Sequence, residues 1–508
     1  MPARWEARVL AAIAALPGEA LLAFLARQRW FAAKGAAPSN ARIVDAVVLP
    51  WGTGAFAIAR ARIDTSSGEQ IYQLPFGARD DIDQLPERAI LARVTVHGAS
   101  LTLYDAMHDP EFRAGLGDAL ARGAVARDDS GHAWVAHPAS AERDTRTAAV
   151  TSTVGSAEQS NTSVVFGDSA IFKLFRVLKA GIHPDIEVTR FLTDRARFPH
   201  TPALLGSAWF ENGGERTTAG MLQEFFPGST DAWSYTLERA KEYFAAPADR
   251  DAGNSLVADA RRLGEITRAM HEALACDTED PAFAPEAIAP EDVERWARRT
   301  QQSVREALAI LDRRSRAADF PRERVAEAAA LVGRAEHYVG WVDEIVDSVG
   351  DDLGERIRIH GDYHLGQVLR TASGEFKIID FEGEPSRTLA ERREKASPLR
   401  DVAGMLRSVS YAAATLAMSV ERSVDPRTRE IRSARWERDV RGAFLDSYLR
   451  GGSSAEESEI LPEDEQHVRQ LVALFETEKV FYELEYELNN RPAWIWIPMR
   501  GIAKLFTR

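Results

Sequence analysis

Residues 356–384 read RIRIHGDYHLGQVLRTASGEFKIIDFEGE, and the rest of the chain is read outward from this stretch. Ile357 and Ile359 alternate with arginines, the spacing of a strand, and lead into the turn His360-Gly361-Asp362. Two further short apolar runs, Val368-Leu369 and Lys377-Ile378-Ile379, flank the turn Ser373-Gly374 and predict a hairpin. The expected order is strand, polar loop, hairpin. Asp362 sits in the loop, Gln367 follows five positions on, and Asp380-Phe381-Glu382 ends the last strand. Three oxygen-bearing side chains therefore leave strand ends close together.

That set suits phosphoryl transfer. One carboxylate accepts the proton of an attacking hydroxyl, and further oxygens hold Mg²⁺ against nucleotide phosphates. Asp362 is the expected general base, with Gln367 and Asp380 as metal ligands. Taken singly, Asp362 fits a turn cap and Asp380 a strand end; the three in order speak for chemistry. In kinases a catalytic loop supplies an Asp and, five residues later, an amide oxygen, and the next strand end supplies the metal-binding Asp. HGDYHLGQVLR, IIDFEGEP and SPLRDVAGMLRS resemble the bacterial maltokinases, relatives of the aminoglycoside phosphotransferases in the eukaryotic-like kinase superfamily. The wider superfamily usually has Asn where this chain has Gln367, and the maltokinase group has Gln. The resemblance implies an α+β, bilobal protein-kinase-like fold. It divides into an N-terminal cap subdomain (1–100), an intermediate N-lobe subdomain with the nucleotide loop (101–226), and a mainly helical C-terminal lobe with the catalytic loop (227–508).

With 508 residues and 45% hydrophobic side chains, the chain has ample material for folded cores. Its formal charge of −14 argues against nucleic acid as a partner, since such proteins usually present a basic face. The single cysteine, Cys276, makes no intrachain disulfide and is expected as a small buried thiol on a helix. Pro17-Gly18-Glu19 interrupts the apolar run of residues 9–26, and no uninterrupted apolar stretch reaches spanning length. The expectation is a cytoplasmic protein without a membrane partner.

In chain order, Val9, Leu10, Ile13 and Leu16 recur at helical spacing, and a second helix follows around residues 21–24. The pattern from Arg29-Trp30-Phe31 to Lys34-Gly35 resembles the start of maltokinase caps, and Trp30 is expected as a core anchor. Strand-like runs at 43–49, 56–63 and 70–74 predict a small curved sheet, and residues 109–121 a helix. Residues 154–163 form a small polar loop between strands. Its amides, with Ser156 among them, could lie over phosphates. Lys173 sits inside the apolar strand IFKLF, where a lysine is costly unless paired or bound to an anion. The resemblance assigns Lys173 to nucleotide phosphates, Glu187 of the next helix as its partner, and Gln223 and Phe225 of a hinge to the adenine edge. The lobe boundary is expected at that hinge.

The remainder reads as helices at 256–274, 293–311, 325–349 and 399–417, with His271 expected as a surface or satisfied histidine. The charge run LAERREKAS is expected as a solvated loop, and residues 451–464 as a polar, flexible surface connection. Lys479, Tyr482 and Tyr486 fall at i, i+3 and i+7 of a helix and share one face. An ordinary amphipathic helix has the same spacing. The match of the tail to EKxxYELxYExxNRPxW of the maltokinases turns this face, with Arg491 and with His364 of the catalytic loop, toward the sugar. His360 and Asp401 support the catalytic loop by the same resemblance.

The implied activity is ATP- and Mg²⁺-dependent phosphorylation of maltose to maltose 1-phosphate, feeding α-glucan (glycogen) synthesis, with a trehalose synthase as an associated partner. A glucosamine or aminoglycoside kinase of the same fold is the alternative. A metal-dependent hydrolase using His360-x-Asp362-x-His364 is a remote one, because such spacing can ligate zinc. A catalytically dead nucleotide-binding regulator is the third.

Overall fold

The strand Ala55–Thr65 is buried along most of its length, and its alternating side chains enter two different cores. Phe56 and Ile58 join a cluster with Phe112, Trp134 and Phe172, whereas Ala57, Ala59, Ala61 and Ile63 join one with Phe24, Tyr72 and Leu103. A strand covered on both faces reads as a nearly continuous apolar run, as AFAIARARI does. This strand belongs to an antiparallel sheet ordered Asn40–Leu49, Ala55–Thr65, Gly68–Arg79, Ala99–Asp105, Ile90–Val96, with the short strand Val177–Leu178 added against Gly68–Arg79. The computed structural model describes residues 4–52, 54–80, 85–139, 145, 147–148, 150–155, 160–245, 254–385, 387–419, 426–451 and 460–506.

Two compact units are formed: Met1–Thr193 with Pro202–Gly228, and Asp194–Thr201 with Ser229–Arg508. In the first, helices Arg4–Ala14 and Gly18–Arg27 contribute Val9, Ile13, Leu21 and Phe24 to the core on one side of the sheet just described. Trp30 is buried there beside Phe24 and Tyr72, with the Arg176 guanidinium 4.2 Å from its ring. Residue 100, the expected end of the cap, lies within the strand Ala99–Asp105, so this sheet continues past it. A second antiparallel sheet runs Val125–Arg127, Ala133–Pro138, Leu204–Asn212, Glu215–Glu224, Ala170–Phe175, Asn161–Phe166, Ser152–Val154. The helix Pro110–Arg122, capped by the Asp109 side chain and ended by Gly123 at φ 74°, shares a core with it.

The second unit is mainly helical, with a three-stranded sheet, Thr230–Asp231, Val368–Arg370, Phe376–Ile378, and a two-stranded one, Glu286–Ala287 with Glu355–Arg356. The segment Asp194–Thr201 belongs to this unit: the His200 carbonyl accepts from the Ile378 N–H at 2.7 Å, and Lys377 Nζ donates to the Pro199 carbonyl. The principal helices are Asn254–Leu274, Pro290–Ser315, Leu399–Ser419, Pro426–Arg450 and Glu465–Asn490. Among the described residues no single helix is long and apolar enough to cross a membrane.

Several expectations are corrected. The helix expected over 325–349 is two, Val325–Val332 and Ala335–Ser348, because Gly333, a poor helix former, closes the first. Cys276 lies beyond the end of its helix and is exposed. The charge run near 390 is solvated at Ala390, Glu391, Arg393 and Glu394, but it is not a plain loop. A capped turn, Leu389–Arg392, leads to Lys395, whose ammonium bonds the Ala284 carbonyl and Glu286, and to Ala396, which bridges to Ile357. Burying the lysine stem costs little because the charge is answered at its tip. Of the expected surface connection at 451–464, residues 452–459 lie outside the described residues.

Candidate active site

The catalytic-loop residues are held from one face of the helix Leu399–Ser419. Asp401, Gly404 and Ser408 stand at i, i+3 and i+7, so they lie in a row. The Asp401 carboxylate is 1% exposed and accepts from the backbone N–H of His360 at 2.7 Å and of Gly361 at 2.9 Å. A Cβ on Gly404 would meet the Tyr363 carbonyl oxygen at 2.6 Å, so only glycine lets loop and helix approach this closely. Ser408 Oγ accepts from the Leu365 N–H at 3.1 Å. The His360 ring then spans the loop: Nε2 is 2.9 Å from the Ile379 carbonyl, and Nδ1 accepts from the Asp362 N–H at 3.4 Å.

Both nitrogens of His360 are thereby used, and Nδ1 of His364 accepts from the Gly366 N–H at 3.0 Å. His360 is thereby lost as a zinc ligand, and with it the His360-Asp362-His364 reading. Among the described residues no group of three or more His, Cys, Asp or Glu side chains could hold a metal ion. Gln367 and Asp380 are set side by side by the hairpin, through the Ile379 N–H to Gln367 carbonyl bond of 3.0 Å. Asp380 takes φ 61°, a left-handed conformation that Asp tolerates better than most residues, and so leaves the strand line at once. An amide oxygen and one carboxylate suit Mg²⁺, which keeps several waters and takes the rest of its shell from phosphates.

Asp362 lies 3.3 Å from Lys479 Nζ, and its Oδ2 is 3.9 Å from His364 Nε2. Burial alone would push the Asp362 carboxyl up, but the Lys479 ammonium, with His364 and His360, outweighs it and holds the group below the usual carboxylate value. For Lys479 burial opposes the charge, and Asp362, Glu384 and Glu483 more than restore it. Burial depresses His364, which Asp362 only partly offsets. Asp362 is thus ionised and Lys479 charged at neutral pH.

Asp362 and Lys479 line a cleft of about 370 Å³ together with Tyr482, Glu384, Arg387 and Glu478. Lys479 Nζ is 4.9 Å from the centre of the Tyr482 ring. Burial and then Glu384, which hydrogen-bonds its hydroxyl, push the Tyr482 phenol up to about 12, so it stays protonated. Tyr486 stacks on Tyr482 with ring centres 6.5 Å apart and is 43% exposed. Arg491 bonds Glu487 at 2.6 Å and lies 5.3 Å from the rings of both Tyr486 and Trp494.

Glu384, Arg387 and Glu478 were not anticipated. Arg387 bonds Glu384 at 2.8 Å and lies 3.7 Å from Glu478, which Arg400 also holds at 2.5 Å. Their signals were local: Glu384 is four residues past Asp380, and Glu478 is next to Lys479.

In the first unit, Lys173 is nearly buried and its Nζ lies 3.5 Å from Asp185, in the first turn of the helix Pro184–Arg190. Glu187, the partner expected from the sequence, follows two residues later in that helix. Ile171 pairs with Gln223, and the Phe225 N–H donates to the Ser169 carbonyl at 2.9 Å. Ser156 lies outside the described residues.

The maltokinase N-terminal cap domain matches residues 24–109. The chain is 26% identical over 350 residues to a glucosamine kinase of Streptacidiphilus jiangxiensis, covering 68% of this chain and 72% of that one. It is also 26% identical over 351 residues to a glucosamine kinase of Mycolicibacterium smegmatis, covering 68% and 78%. The solved structure of a glucosamine kinase in complex with glucosamine, ADP and inorganic phosphate superposes with a TM-score of 0.67 at 20% identity, covering all of both chains. A crystal form of a glucosamine kinase gives 0.66 at 19% identity over 93% of this chain and 95% of that one. The chain thus carries a match to the maltokinase N-terminal cap domain on the fold of the solved glucosamine kinases, and it is a phosphotransferase with a hydroxyl group as acceptor.

Proposed function

We propose that the protein transfers the γ-phosphoryl group of ATP to a sugar hydroxyl, with maltose as acceptor and maltose 1-phosphate as product. The observation that carries the chemistry is Asp362: an ionised carboxylate in an open cleft, held by Lys479 at 3.3 Å, on a loop where the Asp362 N–H donates to His360 Nδ1. Asp362 accepts the proton of the attacking hydroxyl, and Lys479 keeps that carboxylate in place and charged. Tyr482, with Tyr486 beside it, offers an aromatic face to a sugar ring and a donor to its hydroxyls, and His364 and Arg491 complete the acceptor side. Lys173, oriented by Asp185 or Glu187, serves the nucleotide phosphates together with Ser156, and the backbone near Gln223 and Phe225 the adenine. Gln367 and Asp380 would hold Mg²⁺, which when bound neutralises phosphate charge. The cap domain supports maltose, and the product would feed α-glucan synthesis, with a maltose-producing trehalose synthase as partner.

Glucosamine is the second reading, favoured by the relatives' names and by Glu384, which stands with Asp362 among several carboxylates of the cleft that suit an ammonium group. An ATP-dependent phosphate-transfer assay over maltose, glucose, glucosamine and kanamycin separates the two. Turnover of maltose above the others supports the first reading, and turnover of glucosamine alone replaces it. Asp362→Asn is expected to lower kcat by roughly 10²–10⁴-fold with nucleotide binding retained. Near-normal turnover in that variant would sink the assignment of the base.

A further inference from the structure

In the first unit, two buried arginines share one turn of the cap, and each reaches one strand of the hairpin that carries the small polar loop. The turn, Ala106–His108, follows the strand Ala99–Asp105 and lies inside the stretch 24–109 that matches the cap domain. The buried Asp105 carboxylate accepts from the Met107 N–H at 3.1 Å through Oδ1 and from Arg176 at 2.5 Å through Oδ2. Arg176 is fully buried, and its Nε donates onward to the Thr162 hydroxyl at 2.8 Å. Thr162 lies in the strand Asn161–Phe166, next to Ser163, which pairs with Lys173. Arg113, buried in the helix Pro110–Arg122, donates through Nη1 to the Met107 carbonyl at 3.0 Å. Its Nε bonds the Ser152 hydroxyl at 3.0 Å and its Nη2 the Ser152 carbonyl at 3.3 Å, at the start of the partner strand Ser152–Val154.

We propose that Arg113 and Arg176 are positioning residues for ATP: they tie the cap turn at Asp105 and Met107 to both strands of the hairpin and so fix its loop relative to Lys173. The hairpin needs such support. Ser152–Val154 is the last strand of its sheet and pairs with Asn161–Phe166 at three positions, and so short a ladder holds its place poorly. A guanidinium suits the task because its planar fork of donors fixes direction as well as distance, which an ammonium does not. Two buried cations are also a costly way to fill a core, where apolar side chains of like volume serve stability as well or better. Their geometry is accounted for by what they hold in place. The inference rests on the reading of this hairpin and Lys173 as the nucleotide site.

The test compares Thr162→Val, Thr162→Ser, Arg113→Lys and Lys173→Ala in the full-length protein, by ATP binding without sugar, steady-state kinetics and hydrogen exchange. Thr162→Val keeps the shape of the side chain and removes the acceptor of Arg176, whereas Arg113→Lys keeps a cation and loses the fork. Both should weaken ATP binding and raise the KM for ATP ~10-fold, since a small misplacement far from the chemistry is enough to do so, with the sugar KM at saturating ATP within about twofold. Exchange should quicken over 161–166 and stay unchanged over 357–365. Thr162→Ser restores the hydroxyl and should return both ATP binding and protection toward wild type. Wild-type ATP affinity in either variant overturns the inference for its arginine, also where the melting temperature has dropped, because plain core residues would behave so. A Thr162→Ser variant as impaired as Thr162→Val overturns it too, and should Arg113→Lys not fold, the Thr162 pair decides. Failure of the underlying reading looks different, since then Lys173→Ala itself would leave the ATP titration unchanged.

Discussion

At the residue scale the site is decided by which of two opposed effects wins on Asp362. Burial disfavours the carboxylate and the neighbouring cations favour it, and the cations win. The largest of them is Lys479, so its removal should reverse the sign. In Lys479→Met the carboxyl is expected to rise, and the acid limb of the kcat/KM profile should move to higher pH. In the wild type that limb should lie below the ordinary carboxylate value, leaving activity flat through neutrality on the acid side. A pH profile of both proteins decides the matter, and an unmoved limb would mean that Lys479 does not set the charge of the base. His271 shows the limit of single-residue reading. A lone histidine at a buried helical position fits a bland satisfied side chain, and only its two neighbours, Tyr448 and Asp401, reveal what it holds.

At the scale of elements, the helix Glu465–Asn490 carries two jobs on adjoining faces. One presents Lys479, Tyr482 and Tyr486. The other inserts Glu483 against Arg407 of the helix Leu399–Ser419, at 2.6 Å and with 11% and 4% side-chain exposure. Breaking a buried pair strands one charge, so Arg407→Leu should destabilise by about 3–5 kcal/mol, read as a lowered denaturation midpoint. Because Leu399–Ser419 also carries Asp401, activity should fail at the same denaturant concentration. On the outer face, Tyr486→Ala should raise the sugar KM several-fold, and Tyr482→Ala more, since only Tyr482 lines the cleft and meets Glu384. ATP binding measured without sugar should stay unchanged in both. Equal saturation by sugar in all three proteins would leave the tyrosines as plain helix surface.

At the scale of the whole molecule, the residues proposed for the reaction are divided between the two compact units. Lys173 belongs to the first, Asp362, Gln367, Asp380 and Lys479 to the second. Lys173→Ala is therefore expected to leave sugar binding alone while raising the ATP requirement and lowering kcat on the order of 10²-fold, as loss of a charge that stabilises the transferring phosphoryl group does. An unchanged ATP titration would remove Lys173 from the nucleotide site. The Asp185 carboxylate beside it is 2% exposed on its side chain, so the pair is built into the unit's interior and is no surface contact.

What the sequence determined by itself was everything carried by short spacing. Alternation named the strands at 43–49, 56–63 and 70–74, apolar recurrence named the helices at 256–274, 293–311 and 399–417 though not Pro426–Arg450, and the order of Asp362, Gln367 and Asp380 with its family resemblance pointed to phosphoryl transfer. These patterns survive because backbone periodicity is a local property, set within a few residues. Tertiary structure alone decided the partners. Asp185 lies beside Lys173; Glu384 reaches Tyr482; the charged run near 390 is tied down through Lys395; and Asp194–Thr201 joins the second unit. His271 and Asp401 are 130 residues apart, and nothing in the spacing of either announces the other. Such pairs exist only once packing has brought separate helices together, because a buried polar group takes whichever partner the fold sets within hydrogen-bond reach.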